Sequence, residues 1–149
     1  MYVGRLAHEK GVRVLLRAMH AVRERVGDRV VFAVVGDGPA EAECRAGAPA
    51  GTVFTGKLTG RALSEAYASA DLFAFPSITE TFGNVVLEAQ ASGLPVLVTP
   101  DGGPRENMQD DVTGVICAFA CNLVPTIHIK KDSSDQLTMQ LHGFGNLFS

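Results

Sequence analysis

The sequence has few cysteines and no long apolar run. Its three cysteines, Cys44, Cys117 and Cys121, follow no repeating spacing, so they do not predict a disulfide framework. Cys117 and Cys121 have no supporting Cys or His pair, and we interpret the thiols as reduced and at least half-buried. No segment is long and apolar enough to span a membrane. The first ten residues lack the apolar stretch of a signal peptide.

Several catalytic and metal-binding motifs are also absent. The chain has no Asp-x-Asp motif and no His/Asp/Glu cluster at metal-ligand spacing, so no metal site is predicted. It has no phosphate-binding loop ending in Gly-Lys-Ser/Thr and no Gly-x-Gly-x-x-Gly before a helix, which argues against NTPases and dinucleotide oxidoreductases. A net charge of −3 argues weakly against a nucleic-acid partner, which usually requires a basic face. A local basic pocket for a small anion stays open.

What the chain does contain suits one globular domain. Its 149 residues are 46% hydrophobic and 19% charged, enough for a real core. The 16 glycines and 7 prolines separate apolar runs by short turns, which is typical of α/β folds.

Short apolar runs alternate with helical patterns as far as residue 117. Strands are predicted at 1–3, 30–35, 53–55, 72–75, 95–99 and 114–117, and helices at 12–26, 41–46, 61–69 and 84–92. This alternation predicts a Rossmann-like α/β fold, a parallel sheet with helices on both faces. Residues 118–149 show no strong periodicity apart from a candidate strand at 127–129, and we expect much of this tail to be poorly ordered.

Polar and glycine-rich loops follow the predicted strands, where open parallel sheets bind their ligands. The first loop carries Arg5 and Lys10 just before a helix, and two such cations can neutralise a diphosphate. The alternative is a solvated basic loop. In the second loop, Gly36 permits close backbone approach, although many α/β turns look alike, and Asp37 can instead cap the next helix.

The third loop is the most informative. Glu80 precedes a predicted helix and Glu88 lies within it, while the N–H groups at 83–85 form a ready phosphate site. Carboxylates flanking a phosphate site suit the binding of sugar hydroxyls. The alternative is that Glu80 caps the helix and Glu88 is a surface residue. A fourth loop around Gly102 and Gly103 lines the same cleft or is an ordinary connection.

Taken in order, these motifs resemble the C-terminal domain of retaining GT-B glycosyltransferases of family 4 (glycosyl transferases group 1). The resemblance covers residues 1–117, roughly four-fifths of the chain. Its motifs are Tyr2-Val3-Gly4-Arg5-Leu6 with Glu9-Lys10-Gly11, Val35-Gly36-Asp37-Gly38-Pro39, Val53-Phe54-Thr55-Gly56, Tyr67-Ala68-Ser69-Ala70-Asp71, Pro76-Ser77 with Glu80-Thr81-Phe82-Gly83 and Leu87-Glu88-Ala89, and Ala91-Ser92-Gly93-Leu94-Pro95-Val96.

The resemblance implies a role for each site residue. Arg5 and Lys10 would bind the donor diphosphate, Glu80 would touch the transferred sugar near its anomeric carbon, and Glu88 would bind the ribose hydroxyls. The first three would be the catalytic residues. Backbone groups at 82–85 would hold phosphate or sugar oxygens, and those of Lys57 and Leu58 the base. The implied donor-binding set is Gly4, Arg5, Lys10, Gly36, Lys57, Leu58, Glu80, Phe82, Gly83, Asn84, Val85 and Glu88.

The resemblance also implies a reaction and a missing partner. The reaction would be metal-independent sugar transfer, with retention, from a nucleotide-diphosphate sugar to a lipid, a glycan or a small molecule, without a cofactor. Nothing in the chain matches the family's N-terminal acceptor domain, so residues 1–117 would be half of a GT-B fold and the chain alone incomplete and inactive. The expected location is cytoplasmic, with peripheral membrane association open for the full-length parent. The alternatives are an inactive fragment and a non-catalytic nucleotide-binding or interaction module.

Overall fold

The computed structural model describes residues 1–77, 79–80, 83–107, 114–116, 126–131 and 137–142. The strands in these ranges are β1 Tyr2–Val3, β2 Ala33–Val35, β3 Val53–Gly56, β4 Phe73–Phe75, β5 Val96–Val98, β6 Gly114–Ile116, β7 Thr126–Lys131 and β8 Leu137–His142. The α-helices are α1 Val12–Val26, α2 Glu41–Gly47, α3 Gly60–Ala68 and α4 Asn84–Ala91. None of these helices combines the length and the apolarity needed to cross a bilayer.

Six parallel strands form two groups of three, β1 to β3 and β4 to β6. The pairings β1 with β2, β2 with β3, β4 with β5 and β5 with β6 are all parallel. Met1 joins the two halves: its carbonyl accepts the Ala74 N–H at 2.9 Å, and its amine donates to the Leu72 carbonyl. This is the hydrogen-bond pattern of parallel neighbours. The order is therefore β3-β2-β1-β4-β5-β6, and the chain changes direction across the sheet between β1 and β4.

The helix predicted at 12–26 is confirmed as α1. Its apolar stripe buries Val12, Leu15 and Met19, while most of its arginines lie outside that stripe. The helix ends at Gly27, which has a φ of 63° that other residues rarely adopt.

The strand predicted at 30–35 is too long. Only Ala33–Val35 pairs as β2, because Gly27–Arg29 forms a 3-10 turn and the chain has not yet reached the sheet at Val31, which is 70% exposed. The other predicted strands in the parallel sheet agree with the structure to within one residue at each end. The proposed cap at Asp37 is also wrong, because α2 starts after Ala40 with no side-chain cap.

The core lies where β1 and β4 meet. Tyr2 stacks on Phe75 at 5.9 Å between ring centroids, Phe75 stacks on Phe73 at 6.1 Å, and Tyr67 of α3 tilts against Phe73 at 5.9 Å. Fully buried aliphatic side chains surround this aromatic row: Leu6, Val12, Val35, Val86, Val96 and Val98. The row fixes the positions of the two strands whose following loops form the candidate site.

The tail contains an antiparallel pair. β7 pairs with β8 from Thr126 opposite His142 to Lys131 opposite Leu137. The strand predicted at 127–129 lies within β7. The expectation of poor order elsewhere in the tail concerns residues that lie outside the described ranges.

Candidate functional site

The loops after β1 and β2 touch through their backbones. The Leu6 N–H donates to the Asp37 carbonyl at 2.8 Å, and the Ala40 N–H donates to the Leu6 carbonyl at 2.9 Å. A Cβ on Gly36 would lie 1.9 Å from the Gly4 carbonyl oxygen, closer than atoms can pack. The close approach expected at Gly36 is therefore confirmed.

The loop after β1 also meets the loop after β4. The Thr79 hydroxyl donates to the Glu9 carbonyl at 2.9 Å, and a Cβ on Gly11 would lie 2.1 Å from the Pro76 carbonyl oxygen. Across this junction the Lys10 ammonium forms an ion pair and a hydrogen bond with the Glu80 carboxylate. Two predicted catalytic residues from distant parts of the sequence thus lie in direct contact.

The Lys10–Glu80 pair is half-buried, which makes each charge depend on the other. The side chain of Lys10 is 21% exposed and that of Glu80 is 32% exposed. Partial burial strengthens their attraction and raises the cost of removing either partner. Glu80 therefore has a role different from the helix cap that the sequence left open.

Arg5 lies in the same loop as Lys10 and points into solvent. Its guanidinium is 3.6 Å from the Glu9 carboxylate, and both side chains are at least half exposed. Such a pair adds little stability, so the guanidinium can exchange Glu9 for another anion at low cost. The Tyr2 hydroxyl donates to the Arg5 carbonyl at 3.1 Å and holds the backbone of this loop in place.

The first turn of α4 completes this side of the site. Gly83 precedes the helix with a φ of 63°, and no side chain caps it. The first N–H groups of an α-helix have no acceptor inside the helix and carry its positive dipole end, so those of Asn84 and Val85 can face an anion. Asn84 is exposed and Val85 is half-buried. Phe82, which belongs to the predicted set, lies outside the described residues.

The fourth loop contacts the same region. The Gly103 N–H donates to the Glu80 carbonyl at 2.8 Å. A Cβ on Gly83 would lie 2.8 Å from Cγ of Pro104. The loop after β5 therefore supports both Glu80 and the start of α4, rather than serving as a separate connection.

Glu88 has a partner that sequence reasoning missed. It is exposed on α4, and its Oε2 accepts a hydrogen bond from the Tyr67 hydroxyl at 3.0 Å. The same hydroxyl is 3.3 Å from the Val85 carbonyl oxygen. Glu88 therefore pairs with Tyr67 and does not join the Lys10–Glu80 ion pair. The sequence signal was a tyrosine on the apolar side of α3, because a buried tyrosine hydroxyl usually requires an acceptor.

The predicted base-binding residues lie at the same edge of the sheet. Lys57 and Leu58 directly follow β3, two strands away from β1. Lys57 is exposed and Leu58 is half-buried against the core. Within the described ranges, no three His, Cys, Asp or Glu side chains are arranged as metal ligands.

The order of the parallel strands reverses between β1 and β4, which is where open α/β sheets bind their ligands, and Arg5, Lys10 and Glu80 lie in the loops at that point. Residues 1–125 match the family model of glycosyl transferases group 1. The chain therefore belongs to the glycosyl transferases group 1 family.

Similarity to individual glycosyltransferases supports this membership. A GDP-mannose-dependent alpha-mannosyltransferase of Mycolicibacterium smegmatis is 42% identical over 125 residues, covering 82% of this chain and 32% of the relative. The crystal structure of WaaG, a glycosyltransferase involved in lipopolysaccharide biosynthesis, has a TM-score of 0.65 and 31% identity over 77% of this chain and 32% of its own. Anabaena Alr3699/HepE, solved in complex with UDP, has a TM-score of 0.63 and 26% identity over 78% of this chain and 33% of its own.

The fold prediction is confirmed, because the chain is a mixed α/β structure whose structural neighbours are GT-B glycosyltransferases. The chain spans about 30% of the length of the curated relatives it matches.

Proposed function

We propose that this chain is the donor-binding half of a retaining, metal-independent glycosyltransferase. Its ligand is a nucleotide-diphosphate sugar, bound at the crevice between the loops after β1 and β4. The observation that carries the proposal is the Lys10–Glu80 ion pair at the point where the strand order reverses.

The charges of this crevice suit a diphosphate next to a sugar. Lys10, Arg5 and the first N–H groups of α4 can each supply positive potential to a bound anion. Glu80 lies directly beside Lys10, where a carboxylate can accept hydrogen bonds from hydroxyl groups of the transferred sugar. The diphosphate would offset the positive charges of the crevice, and the hydroxyls of the sugar would donate hydrogen bonds to Glu80. A simple anion would offset the positive charges and leave Glu80 without a donor from the ligand.

The same groups fit the chemistry of sugar transfer. When the bond from the anomeric carbon to the diphosphate breaks, negative charge grows on the leaving diphosphate. Lys10 and the helix dipole stabilise that charge from fixed positions, and the exposed Arg5 can turn from Glu9 to add its own charge. Preorganised groups such as the first two usually supply the largest part of a rate enhancement. No metal or cofactor takes part in the proposed reaction.

Turnover would require an acceptor domain in addition to this chain. The chain spans about 30% of the length of its relatives, and Arg5 and Glu88 of the proposed site are exposed. We propose that a second domain covers the crevice, binds the acceptor and excludes water. Without it, the chain would bind donor and release it unchanged.

The proposal is tested by calorimetric titration of the chain with UDP, ADP, GDP and inorganic pyrophosphate in excess EDTA. We expect binding of pyrophosphate and tighter binding of at least one nucleoside diphosphate, neither affected by the chelator. A non-catalytic interaction module would bind none of the four, and that result would overturn the proposal.

Glu88→Ala tests the ribose assignment within the same assay. We expect the affinity for the nucleoside diphosphate to fall about tenfold, since one or two hydrogen bonds to a charged acceptor are lost. The affinity for pyrophosphate should change less than about twofold, because pyrophosphate has no ribose and loses no hydrogen bond. The matched control is Glu65→Gln, which removes an exposed carboxylate paired with Arg61 on α3 and should leave both affinities unchanged. Equal losses for both ligands would refute the ribose assignment.

A further inference from the structure

The aromatic row in the core has a hydroxyl group at each end, and both hydroxyls reach the candidate site. The row runs Tyr2, Phe75, Phe73, Tyr67, with consecutive centroids about 6 Å apart. At one end the Tyr2 hydroxyl holds the Arg5 carbonyl, and at the other the Tyr67 hydroxyl holds Glu88. The position of each hydroxyl is therefore set by packing in the core and not by flexible surface groups.

Tyr67 is placed to control the carboxylate of Glu88. Its side chain is 2% exposed, and its hydroxyl reaches both Glu88 Oε2 and the Val85 carbonyl. Val85 and Glu88 are three residues apart, so they share one face of α4. Burial and the hydrogen bond to Glu88 raise the pKa of Tyr67 above its usual range, so the hydroxyl stays protonated and acts as the donor.

A hydrogen bond to one carboxylate oxygen leaves the other oxygen available. Glu88 is exposed on α4, and an exposed glutamate without a partner samples several rotamers. Tying Oε2 to a buried hydroxyl removes most of that freedom before any ligand binds. The entropy of ordering the Glu88 side chain is then lost on folding and not on ligand binding, so the ligand binds more tightly.

We infer that Tyr67 is a positioning residue for the nucleotide ribose: its hydroxyl holds Oε2 of Glu88, so that Oε1 accepts hydrogen bonds from the ribose hydroxyls. This inference rests on the proposed function and adds to it a residue that does not touch the ligand. A tyrosine that only filled the core would affect every ligand of the chain equally.

Tyr67→Phe tests the inference, because it removes the hydroxyl and keeps the ring. The probes are UDP, ADP and GDP, their 2′,3′-dideoxy forms, and inorganic pyrophosphate, titrated calorimetrically. For the nucleoside diphosphate that binds, Kd should rise about fivefold, as expected for one lost hydrogen bond. The Kd values of its dideoxy form and of pyrophosphate should stay unchanged. In a Glu88→Ala background, Tyr67→Phe should cause no further loss.

Tyr2→Phe is the matched control at the other end of the row. It also removes a buried tyrosine hydroxyl, but one that holds the backbone of the cationic loop. We expect it to weaken pyrophosphate, ribonucleotide and dideoxynucleotide binding by similar factors. The two substitutions would thus differ in ligand selectivity although they make the same chemical change.

A second measurement does not depend on the variants folding. The chain has two tyrosines, Tyr2 and Tyr67, so 3-fluorotyrosine labelling gives two ¹⁹F signals, one for each end of the row. Pyrophosphate and the dideoxynucleotide should shift the Tyr2 signal, and the ribonucleotide should shift both. Failure of the Tyr67 signal to distinguish ribonucleotide from dideoxynucleotide, or equal losses for all ligands in Tyr67→Phe, would overturn the inference. If the unmodified chain binds none of these ligands, the proposed function itself has failed.

Discussion

At the scale of single residues, the central feature is a cation and an anion that share one crevice. Lys10 and Glu80 neutralise each other while the crevice holds no diphosphate. A bound diphosphate would compete with Glu80 for Lys10. The Glu80 carboxylate therefore weakens the binding of the diphosphate, although it can accept hydrogen bonds from the sugar. The two members of one ion pair should therefore affect anion binding in opposite directions.

Lys10→Ala and Glu80→Gln test this opposition. We expect Lys10→Ala to weaken pyrophosphate binding at least tenfold, because one charge-assisted hydrogen bond contributes about 1.5–3 kcal/mol. Glu80→Gln should strengthen pyrophosphate binding, because it removes a negative charge and frees the ammonium. Both values come from calorimetric titration at fixed salt. Weaker pyrophosphate binding in both variants would mean that the pair acts only as a structural tie between the two loops.

The sequence singled out these residues as candidates but did not indicate their contacts. Glu88 was singled out because its helical neighbours are apolar, and the structure shows that its carboxylate accepts a hydrogen bond from a buried tyrosine. Tyr67 was given no role in the site, because 21 residues separate it from Glu88 and spacing alone does not reveal such a contact. The same limit applies to Lys10 and Glu80, which fold topology brings together from 70 residues apart.

At the scale of elements, the loops depend on glycines at a few points of backbone contact. Gly36 has a φ of 133°, and a Cβ there would collide with the Gly4 carbonyl. Gly56 also has a positive φ, of 70°, but open space surrounds its Cβ position. Any residue other than glycine would be strained at either position. Only at position 36 would its side chain also clash with the loop that carries Arg5.

Gly36→Ala should therefore destabilise the chain more than Gly56→Ala. A left-handed φ at a non-glycine residue costs about 1–2 kcal/mol, which is the effect expected at position 56. At position 36 the clash should raise the loss above about 3 kcal/mol. Urea unfolding of the two variants measures both values. Similar losses at the two sites would show that the loops after β1 and β2 yield easily.

The junction between β1 and β4 gives a dependence of stability on pH. Burial lowers the pKa of the Met1 amine from 8.0 to about 6. Between these values the unfolded chain binds more protons than the folded chain, so stability rises as pH increases from about 6 to 8. The gain should be roughly 2 kcal/mol. It is measured by urea unfolding at pH 6, 7 and 8.

An amino-terminally acetylated chain is the control for this prediction. Acetylation replaces the titrating amine by an amide N–H that can still donate to the Leu72 carbonyl. Its stability should rise less with pH than that of the free chain. Parallel pH curves for the two forms would contradict a buried, ionisable amine at this junction.

Helix and strand positions were predictable where the pattern was long or sharply bounded. The 15 residues of α1 follow a clear apolar stripe that ends at a glycine, so both of its limits were right. β2 was predicted too long because a run of apolar residues does not indicate where pairing with β1 begins. Residues 30–32 have strand propensity, but the 3-10 turn before them keeps Val31 in solvent.

At the scale of the whole molecule, the proposed site residues lie on elements around one switch point. Lys10 and Arg5 precede α1, Glu80 precedes α4, and Glu88 lies within α4. β1 and β4 carry the loops that precede these helices, and the aromatic row fixes the two strands against each other. The parallel sheet was predictable from the alternation of elements, whereas its strand order required the contact between Met1 and β4.

The central claim is that a diphosphate binds between the loops after β1 and β4. It is tested most directly by amide NMR of the ¹⁵N-labelled chain titrated with inorganic pyrophosphate. We expect the N–H signals of residues 4–11 and 83–86 to shift together with a single Kd, while those of β7 and β8 stay in place. Saturable binding that shifts other regions and leaves both of these segments unchanged would contradict the claim.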